Sequence, residues 1–225
     1  MKIGILSFAH LHAEAYINNL RAIPDVEMIG LADEDAARGR HFAELFNARY
    51  FESYAQLLAE KPDGVLVCSE NSRHRPLVEL AAQAGVNILC EKPIATTLED
   101  GRAMLEACRK AGVMLMIAFP MRFSASLLEV KARLDAGDLG RVYCFNGTNQ
   151  GELPRKGRDW FTDKELAGGG AVMDHTVHLA DIFRWYTGSQ VREVYAQTNH
   201  IFYAGEVDVE TGGLIMLTLE NGVFA

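Results

Sequence analysis

The chain has 225 residues, room for one large domain or two modest ones with a real core. Its 49% hydrophobic and 23% charged residues are ordinary for a globular protein, and a net charge of -8 argues against a general nucleic-acid binder or an anionic-membrane binder, though not against a locally basic pocket. Cys68, Cys90, Cys108 and Cys144 form no C-x-x-C pair, Met1 to Leu6 is too short for a signal peptide, and no stretch approaches the ~20 apolar residues of a membrane span, so a cytoplasmic protein with reduced thiols is expected rather than a disulfide framework or a structural zinc site.

Lys2 to Ser7 reads as a short buried strand, followed by a helix over Ala9 to Ala22 with Ala13, Ile17 and Leu20 along one face. Val26 to Ala32 is a second strand, closed by Asp33, and helices are expected over Glu34 to Phe46 and Tyr54 to Ala59. Lys61-Pro62-Asp63-Gly64 turns the chain into a strand over Val65 to Cys68. A helix over Arg75 to Ala84 closes on Gly85, and Val86 to Cys90 is the next strand. Thr97 with Asp100 reads as a capping box for a helix that runs to Ala111 and ends at Gly112, before a strand over Val113 to Phe119. Strands and helices alternate, and the strands are almost continuously apolar, which predicts a parallel sheet covered by helices on both faces.

The pattern changes near Met121 or Arg122. A helix is expected over Leu127 to Ala136, and a longer strand of mixed polarity over Arg141 to Gln150. Gly151 to Lys164 is irregular and polar, with Trp160-Phe161 embedded in it. A helix carrying Asp174 stops at Gly188, and Val191 to Phe202 and Gly213 to Glu220 alternate like antiparallel strands with one wet face. Asn221-Gly222 is a hairpin signal with little chain after it, so the sheet reads as cut in mid-hairpin, as in a fragment. The fold class is therefore α/β, with a doubly wound parallel sheet over 1–121 and a partial α/β domain with an open, mostly antiparallel sheet over 122–225.

The chemistry is placed in the stretch Gly168-Gly169-Gly170-Ala-Val-Met-Asp174-His175-Thr-Val-His178-Leu-Ala-Asp181. The glycines allow backbone or ligand to approach the start of a helix. Asp174, His178 and Asp181 recur at helical spacing and share a face, so a carboxylate lies one turn from an imidazole and can set its orientation and proton affinity. The bland alternative is two solvated aspartates and a half-buried histidine.

In a doubly wound fold the first strand-to-helix turn cradles a dinucleotide's pyrophosphate through G-x-G-x-x-G, with an acidic residue ending the second strand. Here that turn is Ser7-Phe8-Ala9-His10-Leu11-His12 and holds no glycine. Ser7 and Ala9 are small; His12 is bulky where close helix packing asks for glycine. Asp33 ends the second strand, where a carboxylate accepts from an adenosine ribose and repels a 2′-phosphate, favouring NAD over NADP; the alternative is a loop aspartate that starts the next helix. His10-x-His12 also resembles the H-x-H of barrel metallohydrolases, with His74, His175 or His178 as further ligands, but that fold takes about eight strand–helix units.

The sequence resembles the glucose-fructose oxidoreductase / inositol dehydrogenase / rhizopine catabolism (Gfo/Idh/MocA) family from its first residue to its last. Glu91-Lys92-Pro93 matches the family's Glu-Lys-Pro motif, within a Val65–Pro93 segment that carries Ser69, Asn71 and His74 in the family pattern. Phe119 to Phe123 includes the Arg122-Phe123 step into the second domain, and Gly168–Gly170 with Asp174 and His178 matches the G-G-G-x-x-x-D-x-x-x-H signature.

The resemblance implies a Rossmann domain that binds a nicotinamide cofactor, and a second domain for substrate and oligomerisation. It implies catalytic roles for Lys92, Asp174 and His178 in oxidising a secondary alcohol of a sugar, polyol or cyclitol. His178 is the base, Lys92 steadies the alcohol oxygen, and Asp174 orients substrate or His178. The cofactor set is Ser7, Phe8, Ala9, His10, His12, Asp33, Ser69, Asn71, His74, Glu91 and Lys92. The substrate set is Arg122, Trp160, Asp174 and His175, and no metal is expected. Arg158 and Asp159 join Trp160 as candidates for a sugar site, with packing the alternative for Trp160. Glu91 has a structural alternative in pairing with Lys92 or backbone; a cis Lys92-Pro93 bond is expected to aim the lysine. Asn71 and His74 border the nicotinamide ribose or cap the helix from Arg75. The family's second sheet implies a homo-oligomer. The competing reading is a non-catalytic, dinucleotide-sensing protein of the same fold. The Gly151–Lys164 loop is expected to select the substrate.

Overall fold

A computed structural model describes residues 1–154 and 158–225. The chain divides into two compact units. The first comprises residues 1–118 with 158–161 and 165–168; the second comprises 119–154, 162–164 and 169–225. Residues 155–157 of the Gly151–Lys164 stretch lie outside the described residues.

The first unit is built on six parallel strands: β1 (Lys2–Leu6), β2 (Glu27–Ala32), β3 (Tyr50–Phe51), β4 (Gly64–Val67), β5 (Asn87–Cys90) and β6 (Leu115–Ile117). Their order is β3-β2-β1-β4-β5-β6, with the direction of winding reversing at β1. This sheet excludes the barrel metallohydrolase fold. The helices α1 (His12–Ala22), α2 (Ala36–Leu45), α3 (Tyr54–Ala59), α4 (His74–Gln83) and α5 (Leu98–Ala111) cover it.

The apolar strands explain that arrangement. Ile3 and Ile5 of β1 pack with Phe8, Ala13, Ile17 and Leu31 on one face. Leu6 packs with Val65, Val67, Val78 and Ile88 on the other. Two cores on two faces are what continuous apolar strands require. Thr97 accepts from the Asp100 amide at 3.1 Å and opens α5 as the sequence predicts. The two-residue strand β3 carries too little pattern to be read from sequence. Helix α1 starts at His12 rather than Ala9, because His10 N–H is drawn to Cys68 O at 2.8 Å instead of entering a helical ladder.

The second unit holds α6 (Ala125–Ala136), α8 (Ala171–Thr187) and the antiparallel pair β7 (Val191–Asn199) and β8 (Gly212–Leu219). The short helix α7 (Lys164–Ala167) precedes α8. Ile182 and Phe183 of α8 pack with Leu217 and Leu219 of β8, as amphipathic elements must. Gly188 ends α8 at φ 62°, the left-handed turn that glycine adopts most readily.

The strand expected over Arg141 to Gln150 does not form. Its pairing is confined to Cys144 opposite Phe224, with Phe145 N–H on Phe224 O at 2.8 Å. A ladder needs a partner along its whole length, and here pairing reaches only this one position. Asn221-Gly222 does turn the chain back: Leu219 N–H meets Val223 O at 2.9 Å.

Candidate active site

The carboxyl ends of β1, β2, β4 and β5 gather most of the predicted cofactor residues in the first unit. Ser7 follows β1 at φ 71°, the left-handed conformation that glycine adopts without strain. Its hydroxyl accepts from Ala9 N at 3.2 Å, and its amide donates to Ala32 O at 2.8 Å. These bonds hold a serine where the usual fingerprint has glycine. Phe8 is buried and stacks on Phe42 at a centroid distance of 4.8 Å.

Asp33 is buried and heavily engaged. Its Oδ2 accepts from Phe8 N at 2.7 Å and Arg38 Nε at 2.9 Å. Its Oδ1 accepts from Arg38 Nη2 at 2.8 Å and Asp35 N at 2.9 Å. Asp35, not Asp33, caps α2, accepting from Ala37 N at 2.9 Å and Arg38 N at 3.1 Å.

Glu91 ends β5 and is a hub that the sequence identifies without its partners. One carboxylate oxygen accepts from Tyr16 Oη at 2.5 Å and lies 2.9 Å from His12 Nδ1. The other accepts from Lys92 N at 3.1 Å and lies 3.9 Å from His10 Nε2. Burial pushes this carboxyl up. The His12 bond, the nearby His10 and His12 rings and the Tyr16 bond outweigh that and hold it at about 2. Burial and then the Glu91 charge push the Tyr16 hydroxyl above its usual range.

The donor atoms of His10, His12 and Glu91 lie within 4.8 Å of one another, close enough to consider a metal ion. The hydrogen bonds favour protons instead. His10 Nδ1 accepts from His12 N at 3.2 Å, which leaves the neutral ring's proton on Nε2, facing Glu91. A histidine binding metal through Nε2 carries its proton on the other nitrogen and donates it outward.

Lys92 is buried, and the Lys92-Pro93 bond is cis. His74 is fully buried at the start of α4, and burial lowers its affinity for a proton. Its Nδ1 faces Pro93 O at 3.0 Å, so Nδ1 carries the hydrogen and Nε2 is left as an acceptor. His74 Nε2 and Asn71 Oδ1 are both buried and, among the described residues, have no hydrogen-bond partner. Ser69 is buried beside them, bonding Glu70 O at 3.2 Å. Two bare acceptors at the ends of parallel strands suit a ligand that presents hydroxyl or amide donors, which the ribose and carboxamide of a nicotinamide dinucleotide do. The residues fit that cofactor.

Trp160 belongs to this unit. Its Nε1 donates to Ala9 O at 3.1 Å, and Phe161 stacks on it at 3.8 Å while lying 5.4 Å from the His10 ring. It braces the glycine-free turn. Arg158 pairs with Glu14 at 2.6 Å, and Asn71 donates to Ala167 O at 2.9 Å.

In the second unit, α8 carries Asp174, His175 and His178, all half-buried. Asp174 and His178 stand one turn apart, as the spacing predicts. His175 Nε2 lies 3.9 Å from Asp174 Oδ2, and the Phe119 ring is edge-on to His178 at 6.5 Å. Arg122 grips the buried Asp181 with both ends of its guanidinium, at 2.6 and 2.7 Å. Asp181 thereby anchors Arg122.

What Gly170 admits is backbone: a Cβ there would stand 2.1 Å from Glu210 O. Glu210 caps the helix from outside, its Oε1 accepting from Gly170 N at 2.7 Å and from Val172 N and Met173 N at 3.2 Å. No local motif announces this residue, nor Tyr16 or Arg38.

Residues 2–119 match the oxidoreductase family with an NAD-binding Rossmann fold, and residues 127–225 match the GFO/IDH/MocA C-terminal domain. D-apiose dehydrogenase of Paraburkholderia graminis is 36% identical over 98% of this chain and 56% of its own length. A D-xylose 1-dehydrogenase (NADP(+)) of Haloferax volcanii is 34% identical over 96% of this chain and 65% of its own. The WlbA dehydrogenase of Bordetella pertussis, solved with NADH and UDP-GlcNAcA, superposes with a TM-score of 0.89 at 27% identity, covering all of this chain and 65% of that one. The chain thus spans roughly half to two thirds of the relatives it matches.

Proposed function

Because the chain belongs to the Gfo/Idh/MocA oxidoreductase family, we propose that it serves oxidation of a secondary alcohol on a sugar, polyol or cyclitol with a nicotinamide cofactor, NAD in preference to NADP. The observation that carries this is the pair of buried acceptors, Asn71 Oδ1 and His74 Nε2, at the ends of the parallel strands. When bound, the cofactor supplies the hydride acceptor. Asn71 and His74 hold its ribose and carboxamide donors, and Ser7 to His12 form the turn beneath its phosphates.

His178 removes the hydroxyl proton as the general base. Lys92 donates to the same oxygen and steadies its developing charge. Asp174 orients the substrate or His178. Arg122 and His175 contribute to the substrate side, and the Gly151–Lys164 loop to the choice of sugar. Glu91 stays ionised and ties the first turn to β5. The apolar outer residues of the β7–β8 pair, with Leu214 76% and Tyr195 59% exposed, support a homo-oligomer joined through that sheet.

The test is a panel of sugars, polyols and cyclitols assayed by reduced-nicotinamide absorbance. His178→Asn and Lys92→Ala are each expected to lower kcat by about 100-fold or more, with cofactor binding within about threefold of the parent. Undiminished turnover in both variants would remove the mechanism.

A further inference from the structure

We infer that Glu70, joined to Asp33 through Arg38, is a second residue that selects a dinucleotide with a free 2′-hydroxyl over its 2′-phosphorylated form. The inference rests on the nicotinamide-cofactor reading above.

Glu70 lies just after β4 and Asp33 just after β2, the two strands that flank β1. Ligands of open α/β sheets bind outside the carboxyl ends of the strands where the winding reverses, and an acidic residue there ordinarily takes the 2′-hydroxyl. Asp33 alone is poorly placed for that task. A carboxylate offers about four lone-pair sites. Phe8 N, Asp35 N and two nitrogens of Arg38 already occupy them at 2.7 to 2.9 Å.

Glu70 differs. It is buried, with only 4% of its surface exposed, and among the described residues its Oε2 has no hydrogen-bond partner. Its carboxylate also meets its own backbone amide, and its ion pairs are of loose geometry: Oε1 is 3.7 Å from Arg38 Nη1, and Oε2 is 3.3 Å from Arg73 Nη1. A buried acceptor left in that state gains from a hydroxyl donor. Arg38 fixes the relation between the two acids, holding Asp33 with Nε and Nη2 and facing Glu70 with Nη1.

The surrounding charge points the same way. Arg73 also pairs with Glu34, and Asp35 takes the Arg38 amide. Among the described residues, the ion pairs of Asp33, Glu34 and Glu70 are with Arg38 and Arg73, and Asp35 stands beside Arg38, so four carboxylates gather around two guanidiniums. A 2′-phosphate would bring further negative charge into a neighbourhood already in surplus; a hydroxyl brings a donor.

Calorimetric titration of the full chain with NAD⁺ and NADP⁺ tests this. The parent is expected to bind NAD⁺ at least tenfold more tightly. Glu70→Gln keeps the side chain's shape and removes its charge; it is expected to cut that ratio by at least fivefold, mainly by tightening NADP⁺. Glu70→Ser serves as the second variant, with folding of each checked by circular dichroism, and the same drop in ratio is expected. A folded Glu70 variant that keeps the parent's ratio within twofold would overturn the inference while leaving the cofactor reading intact, as would a parent that prefers NADP⁺. A folded parent that binds neither dinucleotide would overturn the cofactor reading, and this inference with it.

Discussion

Replacing Glu210 by alanine should loosen the helix that carries Asp174 and His178 without touching either residue. Helix α8 begins at Ala171 after Gly170, which has no side chain with which to cap it. The first amides of a helix have no partner within it and need one from outside. Glu210 supplies most of them: Oε1 serves Gly170, Val172 and Met173, and its own carbonyl accepts from Ala171 N at 2.9 Å. Loss of an ordinary side-chain cap costs about 0.5–2 kcal/mol, and a carboxylate at a helix N-terminus adds about 0.3–1 kcal/mol through the dipole. Only the 2.7 Å bond to Gly170 is short, so the total should be about 2 kcal/mol, close to the sum of one cap and one charge–dipole term. Glu210→Gln keeps an acceptor and should cost about half as much. Hydrogen exchange by mass spectrometry on the peptide covering residues 169–178 reads this locally. Protection in Glu210→Ala should fall by about 30-fold, the equivalent of 2 kcal/mol, while α5 in the other unit keeps its own. Exchange within threefold of the parent over those residues would refute the capping argument.

Glu91 carries a pH signature. Its folded value of about 2 lies below the ordinary 4.5, so its contribution is present in full above about pH 4.5 and is lost as pH falls toward 2. That difference amounts to about 3 kcal/mol, and urea midpoints measured from pH 6 to 2.5 should fall less steeply for Glu91→Gln than for the parent; parallel curves would contradict the network. Gly170→Ala should destabilise the second unit by about 2 kcal/mol or more, because the new Cβ meets backbone at 2.1 Å. Gly101→Ala, inside α5 with nothing nearer than 3.9 Å, should instead stabilise the first unit by about 0.5–1 kcal/mol; thermal melts that rank the two the other way would refute the steric reading. Arg122→Ala leaves a buried carboxylate at Asp181 without its bidentate partner and should cost about 2 kcal/mol, part of which Asp181→Asn should recover in the double variant; additive losses in the cycle would deny the pairing.

The doubly wound half was legible because its signals are local and redundant. Continuous apolar strands, the Thr97 cap and the Gly112 stop each constrain the answer by themselves, and they agree. The second half was legible only where a segment carries its own partner, as β7 does in β8. Arg141–Gln150 carries a strand's composition but not a strand's partner, and a ladder is a property of two segments. The boundary at His12 shows the same limit on a smaller scale. Composition favours a helix from Ala9, but the Cys68 carbonyl, distant in sequence, captures the His10 amide.

Site residues divide along the same line. The candidates that the sequence singles out have a fixed place in a motif: Asp33 at a strand end, Lys92 before Pro93, and Asp174 and His178 at helical spacing. The residues that make the motif work do not. Arg38 saturates Asp33, and Tyr16 shares Glu91 with two imidazoles. Glu210 caps a helix that begins some 40 positions earlier. Each acts through a pairing of one charge with a donor or acceptor that the chain brings to it only on folding, and such pairing leaves no periodicity to detect. The same holds for the missing glycines. Read as a string, Ser7-Phe8-Ala9-His10-Leu11-His12 lacks the fingerprint; folded, Ser7 takes glycine's conformation, and Trp160 and Asp33 hold the turn in place from outside it. The conformation is what a phosphate-binding turn needs, and glycine is its commonest source, not its only one.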